Sequence, residues 1–594
     1  MKTDPRIEYK NRLEQRRLVR ARCESKHIWI GNARLVLFLT GAVIAWLGFI
    51  SQVISPWWLM VPCCCFVTLM AWHGRVLRER QRFQRAVEFY ERGLLRLDDR
   101  WMGTGAQGSQ FDDPSHPYAR DLDLFGKGSL FELLSCARTH AGEHVLASWL
   151  KSPASPEEIR SRQGAVEELR SNLDLREDLA GLGVDVRTGV HPEPLIKWGE
   201  GAVLLNSVLL RILALLIAVL TSGSLVIWVA AGERSWFFLM ILLEMVFIYS
   251  RRRIVRQAVN GAESAGRDLQ LLSLVLARFE KEEFRTDHLR KLRRALDREG
   301  MSPSRLIARL NSLIVLLDSR RNLLFAPIAF ILLWEIQLAF FLEDWRTKFG
   351  RAIAGWLDTT AELEALSSLA GYSFEHPDDP FPELSPQETC FDGRGLGHPL
   401  LPESKCVRND VSLTDKVRVL VVSGSNMSGK STLLRTVGIN AALALAGAPV
   451  RAHSLRIAPL ALGASIRITD SLQGGTSRFY AEITRLQKLV TLADGPIPVL
   501  FLLDELLHGT NSHDRRIGAE AVVKGLASRG AVGLLTTHDL ALSHIADVLA
   551  PKAANVHFED HIENGHIAFD YHLRPGIVKK SNALELMRSV GLPV

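Results

Sequence analysis

Two uncharged apolar runs open the pattern of this chain, Leu35 to Ile54 and Pro56 to Trp72. Each is close to the ~20 residues that a helix needs to cross a bilayer. Only the short polar break Ser51 to Pro56 separates them, and Trp57, Trp58 and Trp72 fall near the run ends, where aromatic belts sit. The pattern predicts a transmembrane helical hairpin over 35–73. A second is predicted over 203–250. There Ile212 to Ala231 is uncharged, Gly232-Glu233-Arg234 makes a turn, and the shorter run Trp236 to Tyr249 carries Glu244. Leu323 to Leu342 is also apolar, but Pro327 and Glu335 interrupt it. A fifth crossing would put its flanks on opposite sides of the membrane, so a buried helix is expected instead. The competing reading of all these runs is a large all-helical core.

Around the hairpins the pattern is mixed. Segment 74–120 reads as a charged helix, Arg75 to Arg100, and a linker, Met102 to Tyr118, rich in Gly, Pro and Asp. Segment 121–200 reads as helices broken at Pro153 and Pro156. Segment 251–373 carries long amphipathic patterns over Ile254 to Leu296 and Pro303 to Leu324. Pro377, Pro380, Pro382 and Pro386 mark 374–389 as a hinge or linker. From 390 to 594 strands and helices alternate, as in a layered α/β domain.

Composition sharpens the membrane reading. The 594 residues are 47% hydrophobic with net charge +7. That basic excess suits nucleic acid or an anionic membrane face alike. Residues 1–34 hold Lys2, Arg6, Lys10, Arg12, Arg16, Arg17, Arg20, Arg22 and Lys26. This stretch is too long for the charged region of a signal peptide, and no small-residue cleavage site follows. With Arg75, Arg78, Arg80, Arg82 and Arg251 to Arg253, it sets a positive-inside orientation. The expectation is a multi-pass protein of the cell membrane, with N-terminus, helical core and α/β domain in the cytoplasm. Seven cysteines without C-x-x-C spacing read as reduced thiols, with no disulfide framework.

The chemistry lies in the last two hundred residues. Gly424-Ser425-Asn426-Met427-Ser428-Gly429-Lys430-Ser431 fits G-x-x-x-x-G-K-[ST]. It follows an apolar strand pattern, Val417 to Val422, and precedes a helix pattern, Thr432 to Leu445. Loop amides and a helix N-terminus would converge on nucleotide phosphates. Lys430 would supply a charge, and the Ser431 hydroxyl a ligand for Mg²⁺. A continuous apolar run, Val499 to Leu503, ends in Asp504-Glu505. Asp504 sits where it can hold Mg²⁺, and Glu505 where it can orient or polarise the attacking water. A second buried run, Val532 to Leu535, ends in Thr536-Thr537-His538-Asp539. His538 suits contact with a γ-phosphate or the water; the structural alternative is a helix cap. The stretch Gly474 to Glu482 places small and hydroxyl residues before a helix, a further anion site.

The ordered set GSNMSGKS, GGTSRFYAE, LLDELLHGTNSHDR and LLTTHD resembles the ATPase domain of the MutS family, within the ABC superfamily. Gly397 to Leu400, Arg408-Asn409-Asp410, Tyr571 to Gly576 and Ala583 to Pro593 extend the resemblance over roughly Cys390 to Val594. A weaker likeness covers the helical core: Leu124 to Phe131, Thr139, Gly142, Trp149-Leu150, Pro153, Ile159, Arg162-Gln163, Ala165-Val166, and Glu364 to Ala370. The implied architecture is a C-terminal α/β P-loop (ABC-type) ATPase domain joined to an all-α MutS-like core that transmembrane hairpins interrupt. The resemblance implies ATP held by Gly424 to Thr432, Mg²⁺ by Ser431 and Asp504, Glu505 as catalytic carboxylate and His538 as switch histidine. Ser477 resembles the signature serine, acting in trans on the partner's nucleotide in a homodimer. Asn511, Ser512 and Asp514 would lie in a loop crossing that interface.

Departures qualify the likeness. Nothing here resembles the family's mismatch-reading domain, and no clamp domain is visible. Phe89-Tyr90-Glu91 mimics the Phe-x-Glu wedge, but within a helical stretch, and reads as coincidence. Cys406 stands near the position of an adenine-stacking aromatic, so adenine recognition would rest on other residues. Two functions are expected in competition. One is a membrane-anchored MutS-like ATPase coupled to DNA in mismatch repair or recombination. The other is a membrane mechanochemical ATPase that has lost DNA binding and acts on a membrane partner. A structural protein with a dead nucleotide fold is disfavoured, because Lys430, Ser431, Asp504, Glu505 and His538 are all present.

Overall fold

The computed structural model describes residues 4–181, 192–296, 300–322, 325–467, 478–563 and 566–578. They fall into two compact units, one of Met1–Cys136, Leu146–Gly181 and Leu366–Val594, the other of Ala137–Val145 and Leu182–Ala365.

The first unit begins with two long antiparallel helices, α1 (Pro5–Ala45) and α2 (Met60–Leu97). Asp4 caps α1 by accepting from the Arg6 amide at 2.8 Å, with Pro5 in the first turn. The basic N-terminal stretch is therefore no separate tail; α1 runs through residue 34 without a break. Its arginines are used structurally. Arg6 pairs with Asp98 at 2.5 Å, Arg17 with Glu91 at 2.7 Å, Arg12 with Asp174 at 2.5 Å and Arg16 with Glu177 at 2.7 Å. Likewise the charged helix expected over Arg75 to Arg100 continues the second apolar run without a break in α2, and ends at Leu97.

The helices α3 (Leu130–Leu134), α4 (His140–Lys151), α5 (Pro156–Ser171) and α6 (Leu173–Gly181) follow. The Gly-rich stretch before α3 is irregular but anchored, because Glu132 accepts from the Gly103 and Gly128 amides at 2.7 Å each.

The second unit is helical. It contains α7 (Pro192–Glu200), α8 (Val208–Ala231), α9 (Ser235–Glu280), α10 (Asp287–Leu296), α11 (Pro303–Asp318), α12 (Ala326–Ile331) and α13 (Trp334–Phe349). Helix α14 (Ala352–Glu375) closes the helical region. Ser207 caps α8, and Gly232 ends it with φ 79°, a left-handed conformation suited to glycine. Helix α9 runs unbroken from apolar residues into the charged segment after 250. The expected single buried helix over 323–342 is instead two helices. Pro327 lies in the first turn of α12, and Leu333 breaks the path with φ 49°. Residues 323 and 324 lie outside the described residues. In α13, Ile336, Leu338, Ala339, Phe340 and Leu342 are buried. Thr139 and Glu364, far apart in sequence, meet: the Glu364 carboxylate accepts from the Thr139 hydroxyl at 2.6 Å. A Cβ on Gly142 would come within 2.1 Å of Glu364 Oε2, so only glycine fits there.

Among the described residues, three helical segments are long and apolar enough to cross a membrane: Pro5–Ile50, Trp57–Leu97 and Val208–Ala231. Their apolar faces carry Leu35, Phe38, Phe49, Trp57, Leu209 and Val229, all exposed. Helix α9 is not among the three; Glu244 and Arg251 to Arg253 shorten its apolar stretch.

After α14 the first unit resumes as two sheets. The smaller has β1 (Glu383–Leu384), β2 (Phe391–Leu396), β3 (Asn409–Leu413) and, after β4 (Val419–Ser423) and α15 (Lys430–Ala446), β5 (Ser454–Ile457), in the order β1-β5-β2-β3. The proline-rich stretch expected as a linker is thus partly a strand, paired in parallel with β5. The larger sheet adds β6 (Ala461–Ser465), α16 (Arg478–Ala493), β7 (Val499–Asp504), α17 (Ser512–Ser528), β8 (Val532–Thr537), α18 (His544–Val548), β9 (Ala553–Glu563) and β10 (His566–Pro575). Its order is β10-β9-β4-β8-β7-β6, parallel except for the β9–β10 hairpin. Strands β4 and β8 are buried throughout, and β7 up to its last residue, which explains their continuous apolar runs.

Candidate functional site

Parallel pairing aligns the C-terminal ends of β4, β7 and β8 on one edge of the sheet. Ser423 is in register with Thr537, and Asp504 with Thr536. Open α/β sheets bind ligands at this edge. Three loops leave it: Gly424–Gly429 into α15, Glu505–Asn511 into α17, and His538 onward.

The first loop is built by strain that glycine removes. Gly429 has φ 103°, and a Cβ there would lie 3.1 Å from the Tyr571 ring. Met427 takes φ 71° and projects outward, 84% exposed. Lys430, the first residue of α15, is 4% exposed and turns back into the loop. Its Nζ donates to the carbonyls of Gly424 at 2.9 Å and Ser425 at 2.8 Å, and lies 3.7 Å from Glu505 Oε1. Burial pulls the ammonium below the ordinary lysine range; Glu505 and Asp504 act the other way. The Ser425 and Ser428 hydroxyls are buried without partners. An anion seated in the loop would meet helix amides, an ammonium and these hydroxyls, a donor set that fits phosphate.

Glu505 stands at φ 47° on the end of β7. His538 Nδ1 is 3.0 Å from its Oε1, and His508 Nε2 is 2.8 Å from its Oε2. Burial raises the Glu505 carboxyl, but the two histidine hydrogen bonds and Lys430 outweigh this, and the group sits below the usual carboxylate range. It is therefore an ionised acceptor near neutrality. One ligand atom each from Glu505, His508 and His538 lie within 4.8 Å of one another, close enough to share a metal ion. Asp504 accepts a short hydrogen bond from the Thr536 hydroxyl.

The carboxylate loop is held from α16. Buried Glu482 accepts from the Leu507 amide at 2.6 Å, fixing that residue at φ 56°. Gly509 packs on Phe479, with 3.0 Å from its would-be Cβ to Phe479 Cβ. The Arg478–Glu482 segment thus positions the turn after Glu505.

A cavity of ≈ 1060 Å³ opens at this edge. Asn426, Met427, Gly429, Lys430, Ser431, Thr432, Asp504 and Glu505 line it, as the sequence leads one to expect. Gly424, Ser425 and Ser428 lie in the loop behind, and His538 stands beside Glu505 rather than in the lining. Asp539, not His538, caps the following turn, accepting from the Ala541 amide at 2.9 Å. Asn511 does not line the cavity. It caps α17, accepting from the Asp514 amide at 2.8 Å. Ser477 lies outside the described residues, as does 583–593.

His508 and Tyr571 also line the cavity, although the motifs that contain them gave neither a role at the site. His508 follows Glu505 by three residues, which is one turn and a readable signal. Tyr571 reaches the site from β10, where a register shift and φ 57° re-aim it. Asn409 pins that bulge, donating to the Tyr571 carbonyl at 2.9 Å and accepting from the Leu573 amide at 2.7 Å. Across the cavity, Cys406 accepts from the His398 amide at 3.2 Å, among Leu396, Leu401 and Val407.

The fold and site define a parallel α/β domain with an anion-cradling loop and strand-end carboxylates, preceded by a helical region. Residues 118–370 match the family model "MutS domain III", and 420–594 match "MutS domain V". The chain belongs to the MutS family. It is 34% identical over 238 residues to "DNA mismatch repair protein MutS 2" of Halobacterium salinarum, covering 39% of this chain and 27% of that protein. It is 33% identical over 204 residues to "Endonuclease MutS2" of Thermus thermophilus, covering 33% and 26%. To "DNA mismatch repair protein MutS" of an Exiguobacterium species it is 34% identical over 197 residues, covering 33% and 23%. The matched segment thus spans about a quarter of these relatives.

Proposed function

We propose that this chain is a membrane-anchored, magnesium-dependent MutS-like ATPase that works as a homodimer closing on ATP. The convergence of Lys430, Glu505 and His538 at one sheet edge carries the reading. Gly424 to Thr432 would hold the phosphates, and Ser431 with Asp504 the Mg²⁺, which neutralises charge on the phosphate oxygens. Glu505 would accept from and orient the attacking water, with His538 holding the carboxylate. Ser477 and Asn511 would act from the partner copy. Asn511 at the exposed start of α17 is compatible with that role. The helical hairpins would anchor the chain in the cell membrane as a multi-pass protein, leaving the helical and α/β regions in the cytoplasm. ATP turnover would be coupled to DNA, as the names of the relatives suggest for them.

A second reading keeps the ATPase and drops DNA: a mechanochemical ATPase acting on a membrane partner. One contact favours it. Glu375, at the end of α14, is buried and bound by Arg96 of α2 and Tyr9 of α1, so the first hairpin is tied to the chain entering the α/β domain. ATPase rates in nanodiscs with and without duplex, mismatched and branched DNA separate the two. Stimulation by DNA supports the first reading. Stimulation by lipid or a membrane partner alone supports the second. No magnesium-dependent turnover under any condition would refute both.

A further inference from the structure

Helix α9 carries a single acid in its apolar stretch, Glu244, and its side chain is completely buried. Neither carboxyl oxygen has a hydrogen-bonding partner. It faces the side of α8 that carries Ala214, Ile217, Ala218, Thr221 and Ser224, all buried. The Thr221 hydroxyl adjoins the carboxyl. That hydroxyl has already given its proton to the Ile217 carbonyl at 2.9 Å, and Ser224 has given its own to the Thr221 carbonyl at 2.8 Å. Each keeps lone pairs, so Thr221 can accept from a carboxylic acid while its own proton stays on the Ile217 carbonyl; donating to a carboxylate instead would take that proton from the carbonyl.

Among the described residues, Glu244 has no ion-pair partner. Between Ile212 and Ala231, α8 has none, and Tyr249 is the other titratable group in α9 before Arg251. Arg211 and Arg234 lie at the hairpin ends, and Arg211 rests on the Phe341 ring at 4.6 Å. Helices α12 and α13 also pack on α8, while α7 (Glu193, Lys197, Glu200) and α11 (Arg305, Arg309, Asp318) pack on α9 alongside Gly261 and Glu280, beyond its apolar stretch. Helix α12 has no charged residue. In α13, Glu335 pairs with Arg320, Glu343 with Arg346, and Asp344 with Lys348. An isolated buried carboxylate is far costlier than its neutral acid.

We propose that Glu244 and Thr221 form a proton-binding site in the α8–α9 hairpin. Glu244 takes one proton from solvent and holds it as a carboxylic acid, whose O–H donates to Thr221 Oγ1. The proton lets α9 close on α8; its loss leaves a buried charge and favours separation of the two helices. The placement of this site in lipid rests on the membrane reading above, since Thr221 lies midway along Ile212 to Ala231. The proton chemistry rests on the burial alone.

Infrared spectra of the full chain in nanodiscs test this, comparing wild type with Glu244→Gln and Thr221→Val. The expected result is a carboxylic-acid C=O band at neutral pH that Glu244→Gln removes and Thr221→Val shifts to higher frequency. The band should vanish only under alkaline conditions. Superimposed wild-type and Glu244→Gln spectra in that region at neutral pH would overturn the site. Reactivity of Val229→Cys, 81% exposed in the wild type, towards a water-soluble maleimide reports separately on lipid. A reactive cysteine with the acid band present keeps the site and removes the membrane reading. A protected cysteine with the band absent does the reverse.

Discussion

His538 Nδ1 and Glu505 Oε1 lie 3.0 Å apart, although 33 residues and a helix separate them in the chain. Adjacent parallel strands bring the two together and leave the carboxylate ionised as an acceptor. Glu505→Gln removes the charge and keeps the shape. ATP binding should persist while turnover falls by about two to four orders of magnitude. Single-turnover hydrolysis and nucleotide binding measured on the same sample check this.

Lys430 serves a different step. It holds two loop carbonyls, and the same ammonium is aimed where a phosphate would sit. Lys430→Ala should weaken nucleotide binding itself by about 2 kcal/mol, about thirty-fold in Kd. Titration with a fluorescent ATP analogue measures it.

Arg96 and Glu375 form a buried two-bond pair at 2.5 and 2.7 Å, with Tyr9 donating to the same carboxylate at 3.1 Å. Arg96→Ala leaves that carboxylate uncompensated and should cost about 3–5 kcal/mol. Tyr9→Phe removes one hydrogen bond and should cost less, about 1.5–3 kcal/mol. Denaturant unfolding in detergent compares them.

Two buried histidines contribute stability that is lost on the acid side, against Glu364 and Asp379, whose carboxyls burial raises to about 7 and about 6 and which pull the other way. Burial, aided by Arg451, depresses His376 to about 4, and burial, aided by Arg435, depresses His398 to about 4. The unfolded chain takes up these protons near 6.5 and the folded chain does not, so acid favours unfolding. The contribution is whole above about pH 6.5 and is lost down to about pH 4. His398→Asn can still accept from the Leu400 amide, and should recover about 3 kcal/mol of that loss. Unfolding free energies at a series of pH values provide the check.

Much of the site was legible because its residues sit at the ends of buried strands. Apolar runs followed at once by Asp504-Glu505 or Thr536-Thr537-His538 announce a sheet edge. His508 and Tyr571 were harder, since one belongs to a strained turn and the other reaches the cavity through a bulge. The helical parts were legible in composition and less so in extent. The boundary at residue 34 dissolved because charge changes along α1 while helical hydrogen bonding does not. Phe89-Tyr90-Glu91 shows the same principle from inside. Phe89 and Tyr90 pack around Tyr9, with ring centroids 6.4 and 5.6 Å from it, so the motif is core and presents no wedge. The arginines of the N-terminus read only as a basic segment because their acids lie 74 to 162 residues away.

The central claim is nucleotide-driven pairing of two copies. Light scattering of Glu505→Gln protein in detergent, with and without MgATP, tests it most directly. The expected result is the mass of two chains with MgATP and of one without. A mass that stays at one chain under saturating MgATP would contradict it.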